Sequence, residues 1–305
     1  MLIDKVLKCP SCNADNPTIA LEEKDNSRFL HCISCNATFP FDKRDSFFLF
    51  FKERGGATGH LLSEYEKDLY ANKNFRDFHL SNTISDLKLA LKDLRVKVII
   101  DIGCGNGGYT NALKGLYQDY YGLEPSEIPN KETINEPYLQ KGVTLIHYDP
   151  AKNLPIHNGS ADAAVLIASY DHIPDVENVV KDIYNKLNDN GYLIIVMQNY
   201  HFWIKNIINR VSGKRLFRGE SDHYRVHSPD TLIKETRSFV DLEVKSIRAD
   251  SIFLPNLPKR FGFIYFSKNM MIFVNSLIKH LFLLFPKKNL GSVMTVVFKK
   301  SDRGF

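Results

Sequence analysis

The segment VIIDIGCGNGGYT, residues 98–110, constrains the fold of this chain more than any other. An apolar run leads into Asp101 and then into a cluster of glycines. A buried strand followed by glycines, which let the backbone approach a ligand without a Cβ clash, is typical of a cofactor-binding loop. Gly103, Gly105 and Gly108 even satisfy the dinucleotide pattern GxGxxG, although that pattern alone is weak. A turn whose glycines serve packing only is the alternative.

Strand-like and helix-like segments alternate around this loop. Residues 61–95 have a helical apolar period, and 108–116 and 177–188 are predicted as further helices. Buried strands are predicted at 96–101, 119–125, 143–149, 161–169, 191–199, 242–250 and 292–300. The alternation predicts an α/β fold with a doubly wound, mainly parallel sheet.

Acidic residues at three strand ends turn the prediction away from a nicotinamide cofactor. Asp101 opens the pattern DxGxGxG, where a carboxylate suits an ammonium group or an ordered water better than a pyrophosphate. Glu124 ends the second strand in GLEPS, where it can accept both hydroxyls of a ribose. Asp149 ends the third strand, where it can bind an adenine amino group.

DIGCGNG, GLEPS, SADAAVL and SYDHIPDVENVVKDIYNKLNDNGYLII resemble consecutive motifs of class I S-adenosylmethionine-dependent methyltransferases, and more narrowly of their ubiquinone-biosynthesis-like branch. The resemblance covers residues 96–200 and implies a Rossmann-like, seven-stranded sheet with a reversed last hairpin. It implies that Asp101 and the glycines hold the methionine part, Glu124 the ribose, and Asp149 with Ala151 the adenine. The full implied cofactor set is Asp101, Gly103, Cys104, Gly105, Asn106, Gly107, Glu124, Pro125, Asp149, Ala151 and Ser169.

Four of the five cysteines form two CxxC pairs at the N-terminal end of the sequence. Cys9 with Cys12, and Cys32 with Cys35, have the spacing of a four-thiolate zinc site, which closes the coordination sphere and leaves no catalytic position. Disulfides are the alternative. MLIDKVLKCPSC has no long apolar core, so we expect no signal peptide and a reducing cytoplasm. The pattern resembles the zinc ribbon that precedes many bacterial methyltransferases.

The sequence divides into three predicted regions. Residues 1–53 form a zinc ribbon, residues 54–60 a glycine-rich linker, and residues 61–305 the methyltransferase domain. Two insertions, at about 200–230 and 253–290, are expected to cover a substrate site. The aromatic side chains at 47–51 are expected to pack the ribbon onto the main domain.

Two histidines are candidates for the catalytic base. His172 follows the fourth strand and matches the histidine of a family motif, so it could deprotonate a hydroxyl, or it could instead cap the next helix or orient the loop. His223 lies in the first insertion and could face the acceptor, although a structural role is the alternative.

The functional hypotheses differ in the molecule that accepts the methyl group. Residues 261–286 carry an apolar stripe at helical spacing that is too short to span a bilayer. This segment could touch a membrane surface or hold a lipid tail. Alternatively, it could be a buried helix or a helix that forms a dimer. This apolar segment favours O-methylation of a glycan, a lipid-linked sugar or a natural product. We expect the enzyme to be cytoplasmic, and peripheral contact with a membrane is an option. The zinc ribbon and the basic residues of 205–218 favour RNA instead, but the net charge of +5 is modest. A non-catalytic cofactor-binding scaffold is a further alternative.

Overall fold

The computed structural model describes residues 2–15, 18–25, 27–42, 46–51, 73–125, 141–199, 201, 224–251, 269–270, 272–273, 276–277 and 291–301. The predicted linker, His223 and the basic segment 205–218 lie outside these residues, as does most of the insertion at 253–290.

A doubly wound sheet forms the centre of the described chain. Its strands are β6 (Val98–Ile102), β7 (Asp119–Glu124), β8 (Val143–His147), β9 (Ala161–Ile167), β10 (Leu187–Gln198), β11 (Leu242–Ser251) and β12 (Val293–Lys300). They lie in the order β8-β7-β6-β9-β10-β12-β11. The first five are parallel, and β12 runs antiparallel to both of its neighbours. The predicted seven-stranded sheet with a reversed last hairpin is therefore confirmed.

The N-terminal strands extend this sheet instead of standing apart from it. They are β1 (Leu2–Asp4), β2 (Ile19–Lys24), β3 (Ser27–Cys32), β4 (Thr38–Asp42) and β5 (Phe47–Leu49). The first four form an antiparallel meander, β4 pairs with β5, and β5 pairs in parallel with β8. Phe47 and Phe48 are buried at this junction, as the aromatic run predicted.

Three α-helices of the described residues pack on the central sheet. They are α1 (Lys73–Leu91), α2 (Val176–Lys186) and α3 (Pro229–Phe239). Asp175 caps α2, and a capping box of Ser228 and Thr231 begins α3. None of the helices in the described part of the chain combines the length and apolar character that crossing a membrane requires.

The helix predicted at 108–116 is wrong. Residues 108–115 form consecutive turns, in which Thr110 N–H bonds to the carbonyl of Gly107 and Leu116 N–H to that of Leu113. Tyr109, Leu113 and Leu116 pack against the core at helical spacing, which explains the prediction. The Thr110 hydroxyl also donates to the Gly107 carbonyl at 2.8 Å, and such local bonds compete with a helical ladder.

Two apolar layers cover the faces of the sheet. Alternate residues of β6 divide between them: Ile100 and Ile102 join one layer, and Ile99 joins the other. Asp101 is thereby turned toward the layer that contains Ile99 and Tyr120, and it is completely buried. The apolar core therefore encloses a carboxylate beside the glycine loop.

Candidate functional site

The glycine loop leaves the carboxyl end of β6 through three left-handed residues. Gly103, Gly105 and Gly107 have φ values of +76°, +55° and +71°, which glycine adopts without the penalty of a Cβ atom. A Cβ on Gly103 would lie 2.7 Å from the Cβ of Ser169, whereas one on Gly105 would meet no atom within 4 Å. The loop therefore packs closely against the residues after β9 at Gly103, whereas the space above Gly105 is open.

Asp101 lies beneath this loop and accepts a hydrogen bond from Tyr120. The Tyr120 hydroxyl donates to Asp101 Oδ2, and both side chains are fully buried. Burial raises the pKa of Asp101 to about 7, the nearby Glu124 charge adds to the rise, and the Tyr120 hydrogen bond opposes it. Among the described residues, Asp101 Oδ1 has no hydrogen-bond partner. Asp101 is therefore a buried acceptor that changes its charge near neutral pH.

Glu124 joins the glycine loop to the end of β7. Its Oε2 accepts the N–H of Gly105 at 2.8 Å, and the side chain is buried. The Glu124 carbonyl lies 3.1 Å from Nδ1 of His147, whose ring stacks on Phe47 at 4.4 Å between centroids. The N-terminal strand β5 therefore helps to fix the strand end that carries Glu124.

Cys104 and Asn106 complete the loop. The Cys104 thiol is buried 3.6 Å from the Gly105 carbonyl, and burial raises its pKa well above the ordinary value. A thiol held neutral is a poor nucleophile, which agrees with the expectation that Cys104 need not react. The Asn106 side chain accepts the Gly108 N–H at 3.1 Å and shapes the turn.

A groove of about 730 Å³ opens beside the ends of β7, β8 and β9. Pro125 and Ala151 line it, together with His172 on the opposite side. Asp149 folds back on this segment, because its Oδ1 accepts the Ala151 N–H at 3.0 Å. The groove therefore joins two predicted cofactor residues to the predicted base.

The loop after β9 carries Ser169 and His172. The Ser169 hydroxyl donates to the Ile102 carbonyl at 2.7 Å, which ties this loop to the end of β6. His172 lies in a 3₁₀ turn, Tyr170–His172, with its Nε2 3.8 Å from Asp171 Oδ1 and 21% of its side chain exposed. The structure thus brings the predicted groups at 101–107, 124–125, 149–151 and 169–172 to one edge of the sheet.

The four N-terminal cysteines form a compact cluster. All are free thiols, and their sulfur atoms lie within 4.8 Å of one another, with Cys9–Cys35 and Cys12–Cys32 at 3.8 Å. A tetrahedral zinc with Zn–S bonds of about 2.3 Å requires sulfur atoms about 3.8 Å apart. The cluster therefore fits a structural zinc ion, and the thiols are not disulfide-bonded.

A family of methyltransferase domains matches this chain over residues 76–239, which is more than half of its 305 residues. The matched region begins within α1 and ends with α3, so it contains the glycine loop, Glu124, Asp149 and His172. The chain belongs to this family. Its α/β sheet is accordingly that of a methyltransferase domain.

Individual proteins are similar over parts of the chain. The probable S-adenosylmethionine-dependent methyltransferase CRG1 of Saccharomyces cerevisiae is 28% identical over 136 residues, 41% of this chain and 46% of that protein, so the chain spans about half the length of this curated relative. An S-adenosylmethionine-dependent methyltransferase from Archaeoglobus fulgidus superposes with a TM-score of 0.47 at 16% identity, covering 78% of this chain and all of the other. The YcgJ protein of Bacillus subtilis has a TM-score of 0.46 at 14% identity, covering 73% of this chain and all of the other.

The edge site of this methyltransferase domain fits S-adenosylmethionine. The space that a Cβ on Gly105 would enter is empty, which leaves room for a ligand against the loop backbone. Asp101 Oδ1 is a buried acceptor without a partner among the described residues, and Glu124 stands at the ribose position of the family pattern. When bound, S-adenosylmethionine supplies an electrophilic methyl group on a sulfonium. Asp101, the glycines and Glu124 are the residues that would hold it.

Sequence reasoning missed two parts of the site. The sequence predicts Tyr120 only as a strand residue, whereas its hydroxyl donates to the buried Asp101. Nothing in the sequence marks Arg225, between His223 and His227, as a residue that bonds to the loop of His172. His227 is buried 2.7 Å from Glu235, and its role is structural within the described residues.

Proposed function

We propose that this chain transfers a methyl group from S-adenosylmethionine to a hydroxyl of a polar small acceptor. Glycans, lipid-linked sugars and hydroxylated natural products are the acceptor classes that this proposal covers. The observation that carries it is the groove beside the cofactor edge, since that groove has the predicted base on its wall.

The lining of the groove supports a hydroxyl-rich acceptor. Its polar side chains are mainly carboxamides and carboxylates, which donate to and accept from hydroxyl groups in the way that sugar recognition requires. They are Asn153, Asn178, Asn185, Asp175 and Asp182, with Lys152 and Lys181 as the cations. The charges are mixed, whereas a groove for a nucleic-acid backbone would be strongly positive. The groove therefore favours the small-acceptor proposal over the RNA alternative.

His172 is the proposed base. His172 lines the groove, and its Nε2 lies 3.8 Å from Oδ1 of the buried Asp171. An imidazole of near-neutral pKa can accept the hydroxyl proton as the oxygen begins to attack. The groove would supply the rest of the rate enhancement by positioning the acceptor hydroxyl against the methyl group and by excluding water.

A lipid-linked acceptor, or peripheral contact with a membrane by residues 261–286, belongs to the same proposal. Within the described part of this segment, the helical residues Met270, Ile272, Phe273 and Leu277 expose 43%, 45%, 63% and 52% of their surface. Exposed apolar side chains that lie close together on a helix are typical of an interfacial contact. They support this part of the proposal.

Methyl-labelled S-adenosylmethionine tests the function directly. The purified chain is incubated with the label and with separated lipid, glycan, small-molecule and RNA fractions of its source cells. Label in one of the first three fractions is the expected result. Label in RNA would replace the proposal with the nucleic-acid alternative. Cofactor binding by calorimetry without label in any fraction would replace it with a non-catalytic cofactor-binding role.

His172→Gln tests the base. We expect a loss of methyl transfer of about 10²–10⁴-fold, the usual contribution of a positioned base, with unchanged affinity for S-adenosylmethionine. His31→Gln is the control, because His31 pairs with Glu22 at 3.1 Å in the N-terminal sheet, away from the groove. Full transfer by His172→Gln would remove the base from the proposal.

A further inference from the structure

A single arginine fastens the loop that carries His172. Arg225 donates from Nη1 to the Ile173 carbonyl at 2.6 Å and from Nη2 to the Pro174 carbonyl at 2.9 Å. Two consecutive carbonyls immediately after His172 are thus held by one planar guanidinium. Because the arms of a guanidinium are rigidly spaced, such a fork fixes the direction of the peptide as well as its distance.

The arginine is itself held from helix α3. Its Nε donates to Glu235 Oε1 at 3.1 Å, and the other Glu235 oxygen lies 2.7 Å from Nε2 of buried His227. Arg225 and Glu235 expose only 25% and 23% of their side chains. A charge-assisted bond that is largely screened from water is stronger than an exposed pair. The guanidinium is therefore anchored on a helix and not on a free loop.

Other contacts join the same two segments. The Tyr224 N–H donates to the Asp171 carbonyl at 3.0 Å, directly before His172. The hydroxyl of Tyr170, also in the loop, lies 3.3 Å from that of Thr236 on α3. The backbone carbonyls of 171, 173 and 174 are consequently bound on both sides of His172 by residues 224–225.

Within the part of the chain that the structure describes, the loop makes few backbone hydrogen bonds of its own. The His172 N–H bonds to the Ser169 carbonyl at 3.0 Å, and the Ile173 N–H reaches the Tyr170 carbonyl at 3.4 Å. These are the bonds of a single 3₁₀ turn, which has poorer geometry than an α-helix, and Pro174 has no N–H to add. The contacts from residues 224–225 thus add to the few backbone bonds that this turn makes within the described residues.

We infer that Arg225, held by Glu235, is a positioning residue that sets the direction of His172 toward the acceptor groove. This inference rests on the proposed function, because it assigns Arg225 to the base of that reaction. Arg225 does not itself line the groove, but it bonds to Ile173 and Pro174, which do, and among the described contacts it does not touch the glycine loop. Its effect is therefore on the turnover rate and not on the cofactor.

Arg225→Lys is the decisive variant, because lysine keeps the charge but cannot bond to Glu235 and two carbonyls in one plane. Arg237→Lys is the matched control, since Arg237 is exposed on α3, the helix that carries Glu235. Amide hydrogen exchange of a peptide covering 170–175, read by mass spectrometry, reports the loop. Labelled methyl transfer to the acceptor fraction gives kcat and KM, and calorimetry gives the affinity for S-adenosylmethionine.

We expect Arg225→Lys to raise exchange in the 170–175 peptide by about tenfold, the equivalent of one lost charged hydrogen bond. We also expect a fall in kcat with KM for the acceptor nearly unchanged, unchanged cofactor affinity, and a smaller defect than in Arg225→Ala. Arg237→Lys should leave all four quantities at their original values.

Unchanged exchange in Arg225→Lys would overturn the inference, and so would faster exchange with an unaltered kcat. A failure of the proposed function is distinguishable, because the unmodified chain would then transfer no methyl group while the exchange result still reports the loop. If Arg225→Ala does not fold, Arg225→Lys and Glu235→Gln carry the same comparison, with Glu235→Gln expected to loosen the loop in the same direction.

Discussion

Alanine at three glycines separates the stability of the cofactor loop from its binding function. Gly103, Gly105 and Gly159 all have φ values in the left-handed region, at +76°, +55° and +67°. Each alanine therefore meets the backbone penalty of a left-handed L-residue, about 1–2 kcal/mol. Only the Cβ on Gly103 also collides, at 2.7 Å from Ser169 Cβ, and overpacking of this kind costs a further ~1–3 kcal/mol.

The expected losses in the free energy of unfolding are therefore about 2–5 kcal/mol for Gly103→Ala and about 1–2 kcal/mol for Gly105→Ala and Gly159→Ala. The affinity for S-adenosylmethionine should differ between Gly105→Ala and Gly159→Ala. The Cβ on Gly105 enters the space that S-adenosylmethionine is expected to fill, so binding should weaken by about tenfold or more. Gly159 lies in the turn before β9, remote from the loop, and its variant should bind normally.

Denaturant unfolding measures the free energy of unfolding, and isothermal calorimetry with S-adenosylmethionine measures the cofactor affinity. Equal destabilisation by Gly103→Ala and Gly159→Ala would contradict the close packing of the loop against Ser169. Unaltered affinity in Gly105→Ala would show that the open space above the loop is not where the cofactor binds.

Three further predictions concern charged and metal-binding groups. Serine at Cys9 and Cys12 should abolish zinc binding and destabilise the N-terminal strands, so full zinc in that variant by metal analysis would refute the four-thiolate site. Because the pKa of Asp101 rises from 3.8 to about 7 on folding, the native state retains this proton longer, and the stability contributed by the group should fall as pH rises from about 4 to about 7. Tyr120→Phe removes the hydrogen bond that lowers this pKa and should extend the fall to higher pH; urea unfolding at pH 4–8 that shows no such extension would contradict it. Glu124→Ala should weaken cofactor binding strongly in calorimetry, and unchanged affinity would exclude Glu124 from the pocket.

The apolar runs predicted the strands of the central sheet closely. The ends of β6, β7, β8 and β9 lie within two residues of the predicted ends, because continuous apolar runs that end in an acid or glycine are typical of buried parallel strands. Since parallel strands bring their carboxyl ends to one edge, the sequence also predicted that Asp101, Glu124, Asp149 and His172 converge there.

The segment 108–116 shows where such a pattern misleads. Its apolar side chains recur at helical spacing and are buried as a helix would bury them, yet the backbone forms turns. Periodicity reports which side chains face the core, but it does not report the hydrogen bonds of the backbone between them. Gly107, with its left-handed φ, and the Thr110 hydroxyl decide those bonds locally.

By itself, the sequence predicted the α/β class of a doubly wound sheet, the glycines and acids at the ends of its strands, and the four-cysteine cluster near the N-terminus. These features depend on residue type and spacing within short segments. Tertiary structure alone decided that β5 joins the central sheet beside β8, that Tyr120 holds Asp101, and that Arg225 holds the loop of His172. Each of these contacts joins segments that are remote in the chain, and their pairing depends on how the packed layers meet in space.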